Sequence, residues 1–147
     1  MKTDKTLAIK WYKSYDGIRY ITEAIKTNDG YLLIGQNFQL DNICIIKTDL
    51  NGDLIDIYSI DLGGTEIAFD IKKSSDGNFL MTGRTNVFGS NAAFILKMDS
   101  LINIKWVKSY SLTNPSSIIG HEGISISIDK SNNITVSSNG LTSDLGS

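Results

Sequence analysis

One order of residues recurs along the chain, and its spacing limits the fold more than any other feature. Asp29-Gly30 and Asp76-Gly77 stand 47 residues apart, Gly35 and Gly83 stand 48 apart, and Lys47-Thr48-Asp49 and Lys97-Met98-Asp99 stand 50 apart. Trp11-Tyr12-Lys13-Ser14-Tyr15 returns as Trp106-Val107-Lys108-Ser109-Tyr110, with Asp56-Ile57-Tyr58-Ser59-Ile60 as a weaker copy between them. Gly17, Gly64 and Gly120 open three units, and Arg19, Glu66 and Glu122 follow two residues later in each. Asn132-Asn133 stands in the third unit where Asp-Gly stands in the others. A period in the forties means one supersecondary unit per copy, stacked or arranged in a ring.

Within each unit the apolar residues alternate or form short runs, which predicts strands. Ile124, Ile126 and Ile128, alternating with Ser125, Ser127 and Asp129, have a clear period of two. Gly, Asn and Asp recur too often for a helix of useful length. Four short antiparallel strands in a unit of this size match a propeller blade. The expected fold is all-β, with β-propeller-like blades of four antiparallel strands, about two and a half of them. A lone fourth strand is expected over 7–15, one blade over 17–60, a second over 64–110 and a partial third over 120–147. Asp29-Gly30, Asp76-Gly77, Asn51-Gly52 and Asn132-Asn133 are expected at the turns, where Gly and Asn admit positive φ. Leu101-Ile102-Asn103 lacks such a residue, which predicts a hairpin of different construction. The partial unit lacks a third strand, so closure within one chain is not expected. Open blade edges predict self-association, and the chain reads as a piece of a longer propeller or a protomer of an assembly.

These pieces resemble a widespread bacterial propeller repeat. Its unit runs Asp-Gly-Gly-Tyr-apolar-apolar-x-Gly, then an apolar strand ending Lys-x-Asp, then Gly-Asn-x-x-Trp-x-Lys-x-Tyr. The matching segments are Asp29 to Gly35, Asp76 to Gly83, Lys47 to Asp49, Lys97 to Asp99 and Trp106 to Tyr110. Ile128 to Val136 is similar to the related SBBP-type repeat. Asp56 departs from the pattern where the tryptophan belongs, and the third unit stops halfway. The resemblance implies a propeller and says almost nothing of activity. The resembled family is often secreted or found at the cell surface, and the sequence leaves this chain's own compartment open.

Composition narrows the partners. A formal net charge of −2 gives no electrostatic case for nucleic acid. No apolar run approaches the ~18 residues of a membrane helix. Met1 to Thr6 lacks the apolar core of a signal peptide, which favours a cytoplasmic product if Met1 is the true start. Cys44 is the only cysteine and, in Asn42-Ile43-Cys44-Ile45-Ile46, is expected to be a buried small apolar residue.

The chemistry-bearing residues are few. Asp49, Asn51 and Asp53 have the oxygen density of a calcium loop without the EF-hand pattern, and an Asn-Gly hairpin with solvated acids is the favoured alternative. Glu23 and Asp70 occupy equivalent places on first strands, where they are expected to line a channel as a solvated wall or a weak cation or ligand site. His121, beside Glu122, is an isolated acid–base pair and is expected in a surface loop. Trp11 and Trp106 suit packing between blades better than a ligand platform. No catalytic, cofactor or metal set converges. The expected function is a non-catalytic interaction scaffold for a protein or glycan. The alternatives are part of a propeller enzyme, quinoprotein-like or a hydrolase, and a truncated product without independent function.

Overall fold

The computed structural model describes residues 1–38, 41–87, 91–110 and 118–142. Its strands are β1 (Lys2–Thr3), β2 (Ile9–Trp11), β3 (Ile18–Lys26), β4 (Gly30–Asn37), β5 (Ile43–Asp49), β6 (Leu54–Ile60), β7 (Glu66–Lys73), β8 (Phe79–Thr85), β9 (Ala92–Met98), β10 (Ile104–Tyr110), β11 (Ile118–Ile128) and β12 (Ile134–Thr142). β3 to β6 form one four-stranded antiparallel sheet in chain order, and β7 to β10 form a second. β1 pairs with β2, and β11 with β12. The chain is all-β, with two propeller-like blades flanked by two two-stranded sheets.

Each first hairpin carries the same irregularity. Ile21 pairs with Gly35 and Glu23 with Ile34, Ala68 with Gly83 and Asp70 with Thr82, Gly123 with Ser138 and Ser125 with Ser137. One residue is skipped in every case, a β-bulge. The bulge presses a carbonyl of the first strand onto the second. A Cβ on Gly35 would lie 2.0 Å from the Tyr20 oxygen, and one on Gly83 would lie 2.0 Å from the Ile67 oxygen. Backbone occupies the space that a side chain needs, and that is why glycine returns there.

The tight turns share one design. Asp49 Oδ1 accepts from the N–H of Asn51 at 2.8 Å and of Asp53 at 2.9 Å. Asp99 Oδ1 does the same with Leu101 and Asn103, and Asp129 Oδ1 with Ser131 and Asn133. The residue three after each aspartate is left-handed: Gly52, Ile102 and Asn132, with φ of 78°, 67° and 63°. The hairpin at Ile102 is therefore the same turn, not the different construction that its sequence predicts. The Asp99 carboxylate fixes the loop, and Ile102 packs half-buried against the core. That contact offsets the ~1–2 kcal/mol cost of a left-handed L-residue. Gly30 also departs from expectation. Gly77 holds the positive φ of its turn, whereas Gly30 lies inside β4 and is not left-handed. A Cβ there would lie 1.7 Å from the Thr48 oxygen.

The N-terminal segment is not a lone strand over 7–15. Asp4 Oδ1 accepts from Thr6 and Ala8, and Leu7 has φ 64°, so residues 4–8 repeat the aspartate turn. Lys2 pairs with Trp11, as Lys47 pairs with Asp56 and Lys97 with Trp106. Lys2-Thr3-Asp4 thus repeats the register and turn that end the third strands, and β1–β2 pairs as a third and fourth strand do. β1 offers only two residues to pair with, so the ladder stops at Trp11. Beyond it, Lys13 binds Asp53 at 2.7 Å and the Tyr15 hydroxyl donates to the Gly52 oxygen at 2.9 Å.

One core joins the sheets. Ala68 and Ile71 of β7, both 0% exposed, pack with Leu32, Ile34, Ile43 and Ile45 of the first sheet. β11 packs on β7, β8 and β9 in the same way. Ile126 is buried there, and a Cβ on Gly123 would meet Thr82 Oγ1 at 2.1 Å. Hydrogen bonds cross the first seam too: Thr22 Oγ1 donates to the Ala68 oxygen at 2.7 Å.

Gly83→Ala should destabilise the chain by at least ~1–3 kcal/mol, because a backbone carbonyl must move; the urea midpoint measures it. A pH series tests the turns. Lys97 above all, with Ser74 and Asn78, holds the Asp76 carboxyl well below its ordinary 3.8. The Asn103 N–H lowers Asp99, and Asn133 lowers Asp129. Depressed carboxylates stabilise the fold fully above 3.8, and that stability is lost as pH falls through their folded values. Asp76→Asn should be less stable than the parent at neutral pH and lose less on acidification.

Candidate functional site

The two ends of the blades are built differently. At one end lie the aspartate turns, each closed by the same hydrogen bonds. At the other lie Phe38, Asp41 and Asn42, and Asn86, Val87 and Asn91, the described ends of the connections between second and third strands. This second end is the candidate site, and backbone hydrogen bonds tie its frame together. Glu66 N–H donates to the Asp41 oxygen at 2.9 Å, and His121 N–H donates to the Asn91 oxygen at 2.8 Å. Glu66, the first residue of β7, and His121, within β11, thus each hook onto the residue that leads into the third strand of the preceding sheet. His121, not Glu122, occupies the place of Glu66, so the sequence spacing slips by one in the third unit. His121 is buried at 6% exposure within β11, not in a surface loop.

Polar side chains finish this end. Glu66, 0% exposed, accepts from the Gly64 N–H at 2.9 Å and from Thr85 Oγ1 at 3.2 Å through Oε1. Gln36 Nε2 donates to the oxygens of Asp41 and Glu66, both at 3.2 Å. Arg19 pairs with Asp41 at 2.9 Å, and Arg84 pairs with Glu122 across the second seam. Among the described residues, Glu66 Oε2 and His121 Nε2 are buried without a protein partner. Phe38 stands out from this frame at 65% exposure, with Val87 partly exposed in the neighbouring connection.

The residues singled out in sequence fall elsewhere. Asp70 lies inside the second seam, buried. Its Oδ2 accepts from Ser125 Oγ and the Ile126 N–H, both at 2.9 Å, and its Oδ1 binds Lys72 at 2.6 Å. Burial pushes its carboxyl up, but Lys72, Ile126 and Ser125 outweigh that and hold it below the usual value. Glu23 is half-buried and accepts from its neighbour's N–H, Ala24, at 2.9 Å. The oxygens of Asp49 close its own turn, Asn51 Nδ2 reaches Asp49 Oδ2 at 3.4 Å, and Asp53 is paired with Lys13. These three residues thus share one turn, and Glu23 and Asp70 share one register position in different sheets. Among the described residues no group of three or more His, Cys, Asp and Glu side chains could hold a metal ion. Burial pushes the Cys44 thiol up to about 11, which keeps it protonated and unreactive at neutral pH. Trp11 meets Tyr31 edge-on at 5.9 Å, and Lys108 lies 5.7 Å from the Trp106 ring. The only proline falls outside the described residues. No described helix is long and apolar enough to cross a membrane.

Glu66 and His121 were missed as a pair, because their shared role belongs to the backbone N–H and leaves no residue type to read. Phe38, whose N–H donates to the Gly17 oxygen at 3.0 Å, was missed as well, because its exposure leaves no pattern in the sequence. No family model matches the chain, and no curated protein matches it.

Asp70→Ala should cost ~1–3 kcal/mol by leaving the buried Ile126 N–H unpaired. Amide exchange should then speed up at Ile126 more than at Ile45, which lies in the first sheet. Equal loss of protection at both would contradict a local pin between sheets.

Proposed function

We propose that this chain is part of a non-catalytic β-propeller, of the bacterial repeat type its sequence resembles, which presents its loop end to a protein or glycan. The contrast between the two ends carries this reading. The aspartate turns vary little, because a side-chain oxygen dictates each backbone path. The connections 38–42 and 86–91 differ in length and sequence, and their described ends at Asp41 and Asn91 are held by backbone hydrogen bonds. Variable loops on a rigid scaffold are where recognition resides. The acids that chemistry would need are engaged in holding the fold: Asp49, Asp99 and Asp129 in turns, Asp70 and Glu122 between sheets.

Phe38 is the natural anchor, an exposed aromatic next in sequence to the strand whose Gln36 contacts Arg19 and Asp41. A glycan array and affinity capture would identify the ligand class. Phe38→Ala should then weaken binding by roughly tenfold or more, as loss of an aromatic anchor does, with an unchanged unfolding midpoint. Leu101→Ala, at the opposite end and 75% exposed, should bind normally. The reverse pattern would place recognition at the turns. Quinone-dependent dehydrogenase or hydrolase turnover by the purified chain would overturn the non-catalytic reading.

A further inference from the structure

The two seams differ at the end where the aspartate turns lie. Across the second, Ser75 Oγ donates to Asn132 Oδ1 at 2.6 Å and ties neighbouring sheets together. Asn132 and Gly77 are the left-handed residues of equivalent turns. Asn28, which follows Thr27 as Ser75 follows Ser74, holds the place of Ser75 one sheet earlier. The first seam therefore sets Asn28 against a glycine, which has no side chain to answer it. A cleft of about 270 Å³ stands there. Its floor is apolar, with Leu32 and Phe79 both 3% exposed, and the exposed Leu101 lines its rim.

Two lysines line the same cleft, and neither matches its counterpart in the next unit. Lys97 binds Asp76 at 2.7 Å, whereas Lys47 stands 3.9 Å from Asp29. Lys73 faces Phe79 in the β7–β8 ladder as Ile128 faces Ile134 in β11–β12, so an ammonium replaces a hydrocarbon. Among the described residues Lys73 makes no ion pair, and the side chains of Asn28 and Ser100, which also line the cleft, make no hydrogen bond. Asp99, beside Ser100, engages both oxygens in its own turn. Two lysines against the one aspartate of the lining, Asp29, leave an excess of one positive charge.

We propose that this cleft binds a small organic acid, a monocarboxylate with an apolar body, its carboxylate held by Lys47 and Lys73. Free donors beside an apolar floor suit a ligand of two parts. Hydrogen bonds between ions are the strong ones, and the ammonium groups of Lys47 and Lys73 supply them to a carboxylate. The single excess charge matches a monoanion. Lysine offers a point charge, not the planar fork with which arginine grips phosphate. Leu101, 75% exposed, gains cover only from an apolar body. The site lies at the end opposite the proposed recognition loops and is independent of what they bind.

Benzoate is the probe, titrated into the isotope-labelled unmodified chain and followed by NMR. Amide signals of Lys73, Gly77 and Ser100 should move and saturate, while that of Asn133, in the turn at the second seam, stays still. Benzamide, without the charge, should bind at least about tenfold more weakly. Acetate, without the apolar body, and inorganic phosphate should also bind more weakly than benzoate. Lys73→Ile should weaken benzoate roughly tenfold or more, the worth of one charge-assisted hydrogen bond. Its urea midpoint should be unchanged, since isoleucine fills that place at Ile128. Lys130→Gln, exposed in the turn of the third unit, should bind benzoate as the parent does. Shifts that never saturate, that spread over the surface lysines or that appear equally with phosphate overturn the site. Equal weakening by Lys130→Gln overturns it too. The comparison of benzoate with benzamide uses the unmodified chain, so it decides even if Lys73→Ile unfolds.

Discussion

A four-stranded sheet has two faces and cannot bury either alone. Everything in this molecule follows from how one sheet covers the next. The first strand of one sheet lies over the sheet before it, with Ala68 and Ile71 in one core with Leu32, Ile34 and Ile45, which Phe79, Met81, Phe94, Leu96 and Met98 extend. The residues that face forward from β4 are the even ones, and those that face forward from β8 are Leu80 and Thr82. Their partners vary in size to match. Ile34 and Ala68 share one core, and Thr82 meets Gly123, where no side chain fits. Close packing is conserved by exchanging bulk across the seam, as core volume demands. No single residue type is therefore required there.

The bulge in each first hairpin serves this contact. It increases the local twist and turns the strand so that residues on both sides of it, Ala68 and Ile71, reach the same neighbour. A regular strand would place residues three apart on opposite faces. The bulge in turn brings a carbonyl onto the adjacent strand, and glycine at 35 and 83 is the consequence. The glycine period visible in the sequence is thus a second-order trace of the packing between sheets.

That chain of causes explains what could be read in advance. Most strand positions and the antiparallel order were legible because turns and buried strands demand particular residues. Asp49-Leu50-Asn51-Gly52 announces a turn twice over, by its aspartate and its glycine. Where only the aspartate remains, as at Asp99, the same turn was not recognised, since a carboxylate can hold an isoleucine in a conformation that propensity forbids. Lys2-Thr3-Asp4 matches Lys47-Thr48-Asp49 residue for residue and was still overlooked, because three residues lack the apolar run that marks a strand. Asp70 looked like a channel residue because its hydrogen-bond donors, Ser125 and the Ile126 N–H, lie 55 and 56 residues further on. No local pattern encodes a partner so distant.

The loop end was the least legible part, and the reason is chemical. Glu66 and His121 share a position and a hydrogen bond, yet one is an acid and the other an imidazole. The bond comes from the backbone N–H, which every residue but proline possesses. Once the main chain supplies the hook, the side chain beside it is released from structural duty. That release let the spacing slip by one residue between Glu66 and Glu122 in the sequence. It also lets the loop end change its side chains without disturbing the seam beneath, which is the property a surface needs if it is to acquire a partner.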